Sequence, residues 1–150
     1  MNTKLTKIKE KVVGLLEKLL FADAEVDVSQ AEGAVKIDIN SSQSALLIGA
    51  GGQNLDALQV LTGQMIYQDL EPNEKVSLDV NGYRAQAEEK FTDYIRSIAE
   101  RVLSEKAPHT LEPMNSYQRR LAHTIISETS GLVTKSEGNE PYRYIIITPE

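Results

Sequence analysis

Apolar residues open the chain at helical spacing. Leu5, Ile8, Val12, Leu15 and Leu19 recur every three or four positions, with Lys4, Lys7, Lys11 and Lys18 each one step ahead of a member of the stripe. That period predicts an amphipathic helix with a lysine-bearing flank. The flank reads either as a solvated helix edge or as a phosphate contact. The period then shortens to two in AEVDV and AVKIDIN, which predict two strands paired antiparallel across the turn-prone SQAEG around Gly33. SSQSALLIG, next in line, fits a short helix capped by Ser41 or Ser42 or a buried strand, and periodicity alone leaves both open. After a glycine-rich break, QNLDALQVLTGQMIYQ puts Leu55, Leu58, Leu61, Met65 and Ile66 on one helical stripe; EPNEK then turns the chain into the strand VSLDV at 76–80. Residues 1–82 thus read α-β-β-α-loop-α-β.

Asn81-Gly82 interrupts the pattern. From Tyr83 to about Lys106 a long helix is expected, with Ala87, Phe91, Tyr94, Ile98 and Val102 inward, ended by Ala107-Pro108 because proline pushes its predecessor out of helical geometry. HTLEPM reads as a short strand and NSYQRRLAHTIISE as a helix with Asn115 or Ser116 at its N-cap. GLVTKS reads as a strand, SEGNEP as a turn and YRYIIITP as a closing strand. The fold class is α+β in two domains, 1–82 and 83–150, joined by the long helix.

Composition narrows the chemistry. The 150 residues make one ordinary domain or two small ones, and no apolar run approaches the roughly 20 residues that span a bilayer. Lysines precede an apolar stretch at the N-terminus, but Glu10 and Glu17 interrupt it and no small-residue cleavage site follows, so a retained helix and a cytoplasmic, membrane-free protein are expected. There is no cysteine, and only His109 and His123 offer imidazole nitrogen, which argues against a metal site or a thiol enzyme. The net charge of -6 argues against coating duplex nucleic acid by charge alone. Charge is uneven: residues 1–82 hold seven lysines, no arginine and twelve acids, whereas 83–150 hold all six arginines, three lysines and ten acids. The second half repels phosphate less.

The glycine-rich break is Gly49-Ala50-Gly51-Gly52. Glycines permit backbone angles that other residues resist, let a ligand approach, and here precede a helix whose first amides are unpaired and partly positive. Such a place suits a phosphate. Two devices fit: the dinucleotide-binding turn and the G-x-x-G loop of KH domains, which clamps a single strand. The dinucleotide reading needs a third glycine where Asn54 stands and successive βαβ units for which there is no room, although Asp69 lies near the distance expected of a ribose-binding acid. The KH reading needs two helices flanking the loop inside α-β-β-α-loop-α-β, the order of a type II KH domain. A loop serving only as a tight helix-to-helix turn is the third possibility.

The second half contributes Arg119-Arg120-Leu121-Ala122-His123. On a helix Asn115, Arg119 and His123 are four apart and share a face, beside an apolar stripe of Tyr117, Leu121 and Ile125 expected to pack on the sheet. Guanidinium and imidazole suit phosphate contact and base stacking. The plain structural reading pairs Arg119 with Glu112 or Glu137 and leaves His123 as a satisfied helix residue.

LLIGAGGQNLDALQVLTGQMI, then EPMNSYQRRLAHTIISE, then SEGNEPYRYIIITP, taken in this order over roughly residues 4 to 148, resemble the bacterial Jag (KhpB) family, also called SpoIIIJ-associated proteins. The resemblance implies a KH domain followed by a small Arg-x-x-x-His domain of one helix and a three-stranded sheet. It further implies a non-catalytic RNA-binding protein without cofactor, acting in post-transcriptional regulation linked in some bacteria to cell elongation and division. Its ligand would be single-stranded RNA, or single-stranded DNA, and its partner a small single-KH protein. The binding residues carried over are Gly49, Ala50, Gly51 and Gly52 in the loop, and Asn115, Arg119, Arg120, His123 and Arg143 in the second domain. Three departures matter. The variable loop positions are Ala50 and Gly51, and no charged residue occurs from Ser41 to Leu55, so weak and salt-tolerant affinity is expected there. Arg143-Tyr144 stands where two arginines are expected, with Tyr144 able to stack on a base or serve as an ordinary strand residue. The extra domain that many relatives carry before the KH domain is not seen in these residues. A rival reading is a protein-interaction scaffold that uses an apolar groove of the KH domain; an enzyme ranks third, since no nucleophile has an evident base.

Overall fold

In the computed structural model, which describes residues 2–150, the lysine-flanked segment is helix α1 (Thr3–Lys18), opened by Asn2, whose side chain accepts from the Lys4 amide. Its buried stripe is Ile8, Val12 and Leu16. Leu19, expected on that stripe, is the C-cap and is exposed, because the helix stops at Lys18. Strands β1 (Glu25–Ala31) and β2 (Ala34–Asn40) pair antiparallel, Glu25 opposite Asn40 and Ala31 opposite Ala34. The turn is only Glu32-Gly33, both left-handed, the geometry whose twist matches two strands joined by a two-residue loop. β1 therefore runs further than the alternation suggested.

The ambiguous segment is a helix, α2 (Ser44–Ile48), and its N-cap is Gln43 rather than Ser41 or Ser42. Those serines serve Asp23 instead: its carboxylate accepts from the Ser42 hydroxyl at 2.7 Å, the Ser42 amide at 2.8 Å and the Ser41 hydroxyl at 3.1 Å. These bonds, the Ser42 hydroxyl first among them, hold the Asp23 carboxyl below its ordinary value. Helix α3 (Gln53–Ile66) buries Leu55, Leu58, Thr62 and Ile66. Leu61, placed on the stripe by sequence, is half exposed. At 100° per residue it sits about 120° from Leu55, whereas Thr62 falls in line with Leu58 and Ile66. Strand β3 (Lys75–Val80) pairs parallel to β2, giving the order β1-β2-β3. The three helices cover one face of this sheet, closing a core that includes Ile8, Val35, Ile37, Leu55, Leu78 and Val80. The Asp79 carboxylate accepts from the Arg84 amide and so opens the next helix, α4 (Tyr83–Glu105). The Arg84 side chain donates to the Leu78 carbonyl and to Gln59 on α3.

The described residues fall into two units, the first ending at Ala85 and the second running from Gln86 to Glu150. In the second unit α4 buries Ile95, Ile98, Ala99 and Val102, and Tyr94, expected inward, is exposed. Strand β4 (His109–Thr110), helix α5 (Ser116–Ser127), strand β5 (Leu132–Glu137) and strand β6 (Tyr144–Pro149) follow. The sheet is antiparallel in the order β4-β6-β5, and central β6 supplies Ile145 and Ile147 to the core beneath α5. Among the described residues no helix is long and apolar enough to cross a membrane.

Candidate nucleic-acid interface

The glycine loop joins α2 to α3 through a single 3-10 turn, Ala50–Gly52. Gly49, Gly51 and Gly52 all have positive φ, at 71°, 61° and 82°, a region that side chains resist. Two of the three also meet a steric demand. A Cβ on Gly49 would lie 2.7 Å from Cγ of Asn54, and one on Gly52 would lie 3.1 Å from the Tyr83 ring. Nothing stands within 4 Å of the Cβ position at Gly51, so the crest of the loop is open. Gly52 caps α3 without a side-chain bond, so no side chain of the cap satisfies the first amides of the helix. Asn54 donates from Nδ2 to the Leu46 carbonyl at 2.8 Å, tying the start of α3 back to α2. Beside the loop runs an apolar groove lined by Leu19, Phe21, Leu46, Leu47, Leu58 and Leu61, with Asn54 as a polar side chain on its wall. Leu46 and Leu61 are at least half exposed there.

Three of the four lysines on the α1 flank are committed elsewhere. Lys4 pairs with Glu74 at 2.5 Å, and Lys7 and Lys11 both reach Asp69, at 2.7 and 2.5 Å. Asp69, the acid weighed for a ribose, is thus a structural counter-ion. Its carboxyl is held below the ordinary range by the hydrogen bond from Lys11 and then that from Lys7; Glu74 is held low by Lys4 and then by the Glu71 amide.

In the second unit Asn115 is the N-cap of α5. Its side chain accepts from the Gln118 amide, and the Gln118 side chain accepts from the Asn115 amide, a complete capping box. Asn115 therefore opens the helix through its side-chain oxygen and stays exposed. Arg119 lies on the buried side of α5 with Ala122, Ile125 and Ile126, only 8% exposed. The clean split of polar and apolar faces read from sequence does not hold: Tyr117, expected inside, is exposed and donates to Glu88 at 2.6 Å, which pushes its phenol up. The Arg119 guanidinium donates to the Met114 carbonyl at 2.6 Å and to the Glu140 carboxylate. Its acid is Glu140, not Glu112 or Glu137; Glu137 pairs with Lys135 at 2.9 Å.

His123 Nδ1 and Thr134 Oγ1 lie 2.6 Å apart in a hydrogen bond. Arg143 donates from Nε to Ser136 Oγ at 2.8 Å and from Nη1 to the Gly138 carbonyl at 3.1 Å. Thr134, Ser136, Gly138 and Glu140 alternate along β5 and its turn, so His123, Arg143 and Arg119 are gathered in that order along one strip. The alternation was present in TKSEGNE, but only the fold assigns partners to it. Arg120 differs from the others: it is exposed, and its side chain makes no hydrogen bond or ion pair among the described residues. Tyr144 is half-buried, its ring against the turn glycine Gly138.

Two family models match the chain. A KH domain matches residues 6–84, and the Arg-x-x-x-His domain matches residues 89–149. Similar curated proteins are the RNA-binding protein KhpB of Clostridium symbiosum, 31% identical over 94% of this chain and 66% of the relative, and that of Bacillus subtilis, 30% identical over 83% and 61%. The RNA-binding protein KhpB of Streptococcus pneumoniae serotype 2 is 32% identical over 78% of this chain and 36% of the relative. The chain thus spans between about a third and two-thirds of the length of these relatives.

Proposed function

Because the chain belongs to the KhpB (Jag) family, a KH domain followed by an Arg-x-x-x-His domain, we propose that it is a non-catalytic protein that binds single-stranded RNA through both domains and acts in the cytoplasm on RNA fate. The observation that carries this reading is the open glycine loop, which heads α3 with no side-chain cap and lies beside an apolar groove. Amides and helix dipole hold a phosphate there, each such contribution worth about 0.3 to 1 kcal/mol at an exposed site, while the groove receives bases. The strip of the second domain adds the cations that the loop lacks, with exposed Arg120 the first to meet a strand and Arg143 and His123 beside Ser136 and Thr134. The relatives' name, RNA-binding protein, supports the same ligand class.

The test is titration of labelled single-stranded RNA against the full chain and against the Ala50→Asp/Gly51→Asp variant. Two carboxylates at the open crest should weaken binding at least about tenfold, or ~1.4 kcal/mol, with the fold retained. Absence of binding to any single strand at low salt overturns the reading. The rival scaffold reading draws on the exposed Leu46, Val60 and Leu61; under it the loop variant leaves RNA behaviour unchanged and an alanine at Leu61 weakens a protein contact instead.

A further inference from the structure

The strip that gathers Arg119, His123 and Arg143 contains a conflict. Arg119, the residue best suited to grip a phosphate, has a side chain only 10% exposed, and the Glu140 carboxylate that closes on it is 60% exposed. The acid therefore lies on the solvent side of the guanidinium, where an incoming phosphate oxygen would have to sit. Three of the four strip positions that meet the motif, Thr134, Ser136 and the Gly138 carbonyl, are neutral groups that orient His123 and Arg143; Glu140 alone neutralises a cation. Its turn is anchored at Gly138, whose carbonyl accepts from Arg143 at 3.1 Å, and beyond that the Tyr142 amide donates to the Asn139 carbonyl at 2.8 Å while Tyr142 itself is 73% exposed.

We propose that Glu140 is a built-in competitor for phosphate at Arg119, so that the Arg-x-x-x-His domain engages a strand by exchanging this carboxylate for a phosphodiester and displacing the Gly138–Tyr142 turn. The inference rests on the RNA-binding reading above. A carboxylate and a phosphodiester each carry one negative charge and accept from the same guanidinium edge, so they exclude one another there. A site occupied from within binds with an affinity reduced by the fraction of time it is free. Arg119 keeps the Met114 carbonyl throughout, which holds the guanidinium in place while its outer partner changes.

The full chain with Glu140→Gln, titrated with labelled oligouridine, should bind about five-fold more tightly than wild type, the competition expected of a part-exposed ion pair. The gain should narrow as salt rises, because screening weakens the Arg119–Glu140 pair that only wild type must break. Glu128→Gln makes the same change of net charge at the C-cap of α5 and should leave affinity unchanged. Arg119→Gln added to Glu140→Gln should abolish the gain. In the wild-type chain, amide exchange across Gly138–Tyr142 should rise when oligouridine is saturating, a measurement that needs no variant. Binding by wild type with no gain in Glu140→Gln, or with slower exchange in the turn, overturns the inference and leaves the RNA-binding reading standing. No binding by either protein removes both.

Discussion

At the scale of single residues, the glycine loop shows what a motif conceals. The letters Gly49-Ala50-Gly51-Gly52 announce a place where backbone approaches a ligand, and positive φ at three of them accords with that. Why Gly49 must be glycine was not legible, because the obstruction is the Asn54 side chain, which fills the space a Cβ would take while donating to Leu46. Gly49→Ala should therefore destabilise the protein by about 2 kcal/mol, from left-handed strain together with loss of the Asn54 bond. Asn54→Ala should cost about 1 kcal/mol, and adding Gly49→Ala to it should cost less than in wild type, since the two share one contact. Urea midpoints of the four proteins measure this; strict additivity would show that Asn54 is not what Gly49 accommodates. Arg119 makes the same point on the other domain. Its spacing from His123 was readable, but not the burial that turns it toward Glu140.

Elements were more legible than the faces they bury. Period and turn residues identified α1, the β1-β2 hairpin, α3, α4 and α5, because an amphipathic pattern belongs to the segment itself. Which edge of the stripe goes in depends on the surface it meets. That is why Leu16 replaces Leu19, Thr62 replaces Leu61, and Ile95 with Ala99 replaces Tyr94. Thr62 is the informative exception, its hydroxyl buried with no hydrogen-bond partner. Thr62→Val keeps the shape and removes the unpaired group, and should raise stability by about 1 kcal/mol in thermal or urea unfolding. The lysine edge of α1 has a different consequence. Asp69 and Glu74 titrate below their ordinary values of 3.8 and 4.5 when folded, so the stability they contribute is fully present above those values and is lost as pH falls through their lowered folded values. Replacing Lys7 and Lys11 with methionine should lower the urea midpoint at pH 7, and the gap from wild type should close as pH drops below 3.8. A gap that persists in strong acid would assign the lysines' contribution to their packed methylenes rather than their charge.

At the scale of the whole molecule, order and charge carry the argument. The order α-β-β-α-loop-α-β pointed to a KH domain because local patterning sets it, whereas the Arg-x-x-x-His domain after it came from the resemblance of three motifs to a known family. The chemistry divides between the two: amides and an apolar groove without a single charge from Ser41 to Leu55 in one, and five of the six arginines, from Arg96 onward, in the other. The loop of the first domain brings no cation and the strip of the second adds chiefly Arg120 and Arg143, so each alone should bind weakly, and affinity should come from one strand engaging both. An oligonucleotide of about four nucleotides fills a KH loop and no more. Lengthening it until it reaches the second domain converts the second contact into an intramolecular one, which raises affinity by about 10² or more without any new kind of contact. The full chain should accordingly show a step in affinity with RNA length rather than a gradual rise. With the longer RNA, Ala50→Asp/Gly51→Asp should lose the step, and so should Arg120→Ala/Arg143→Ala; the arginine variant should also flatten the logarithmic salt slope by about 0.7 for each phosphate contact removed. Fluorescence anisotropy across a length series measures both quantities. Affinity that rises only in proportion to length, with either pair of substitutions silent, would mean that one domain binds RNA and the other serves a different ligand.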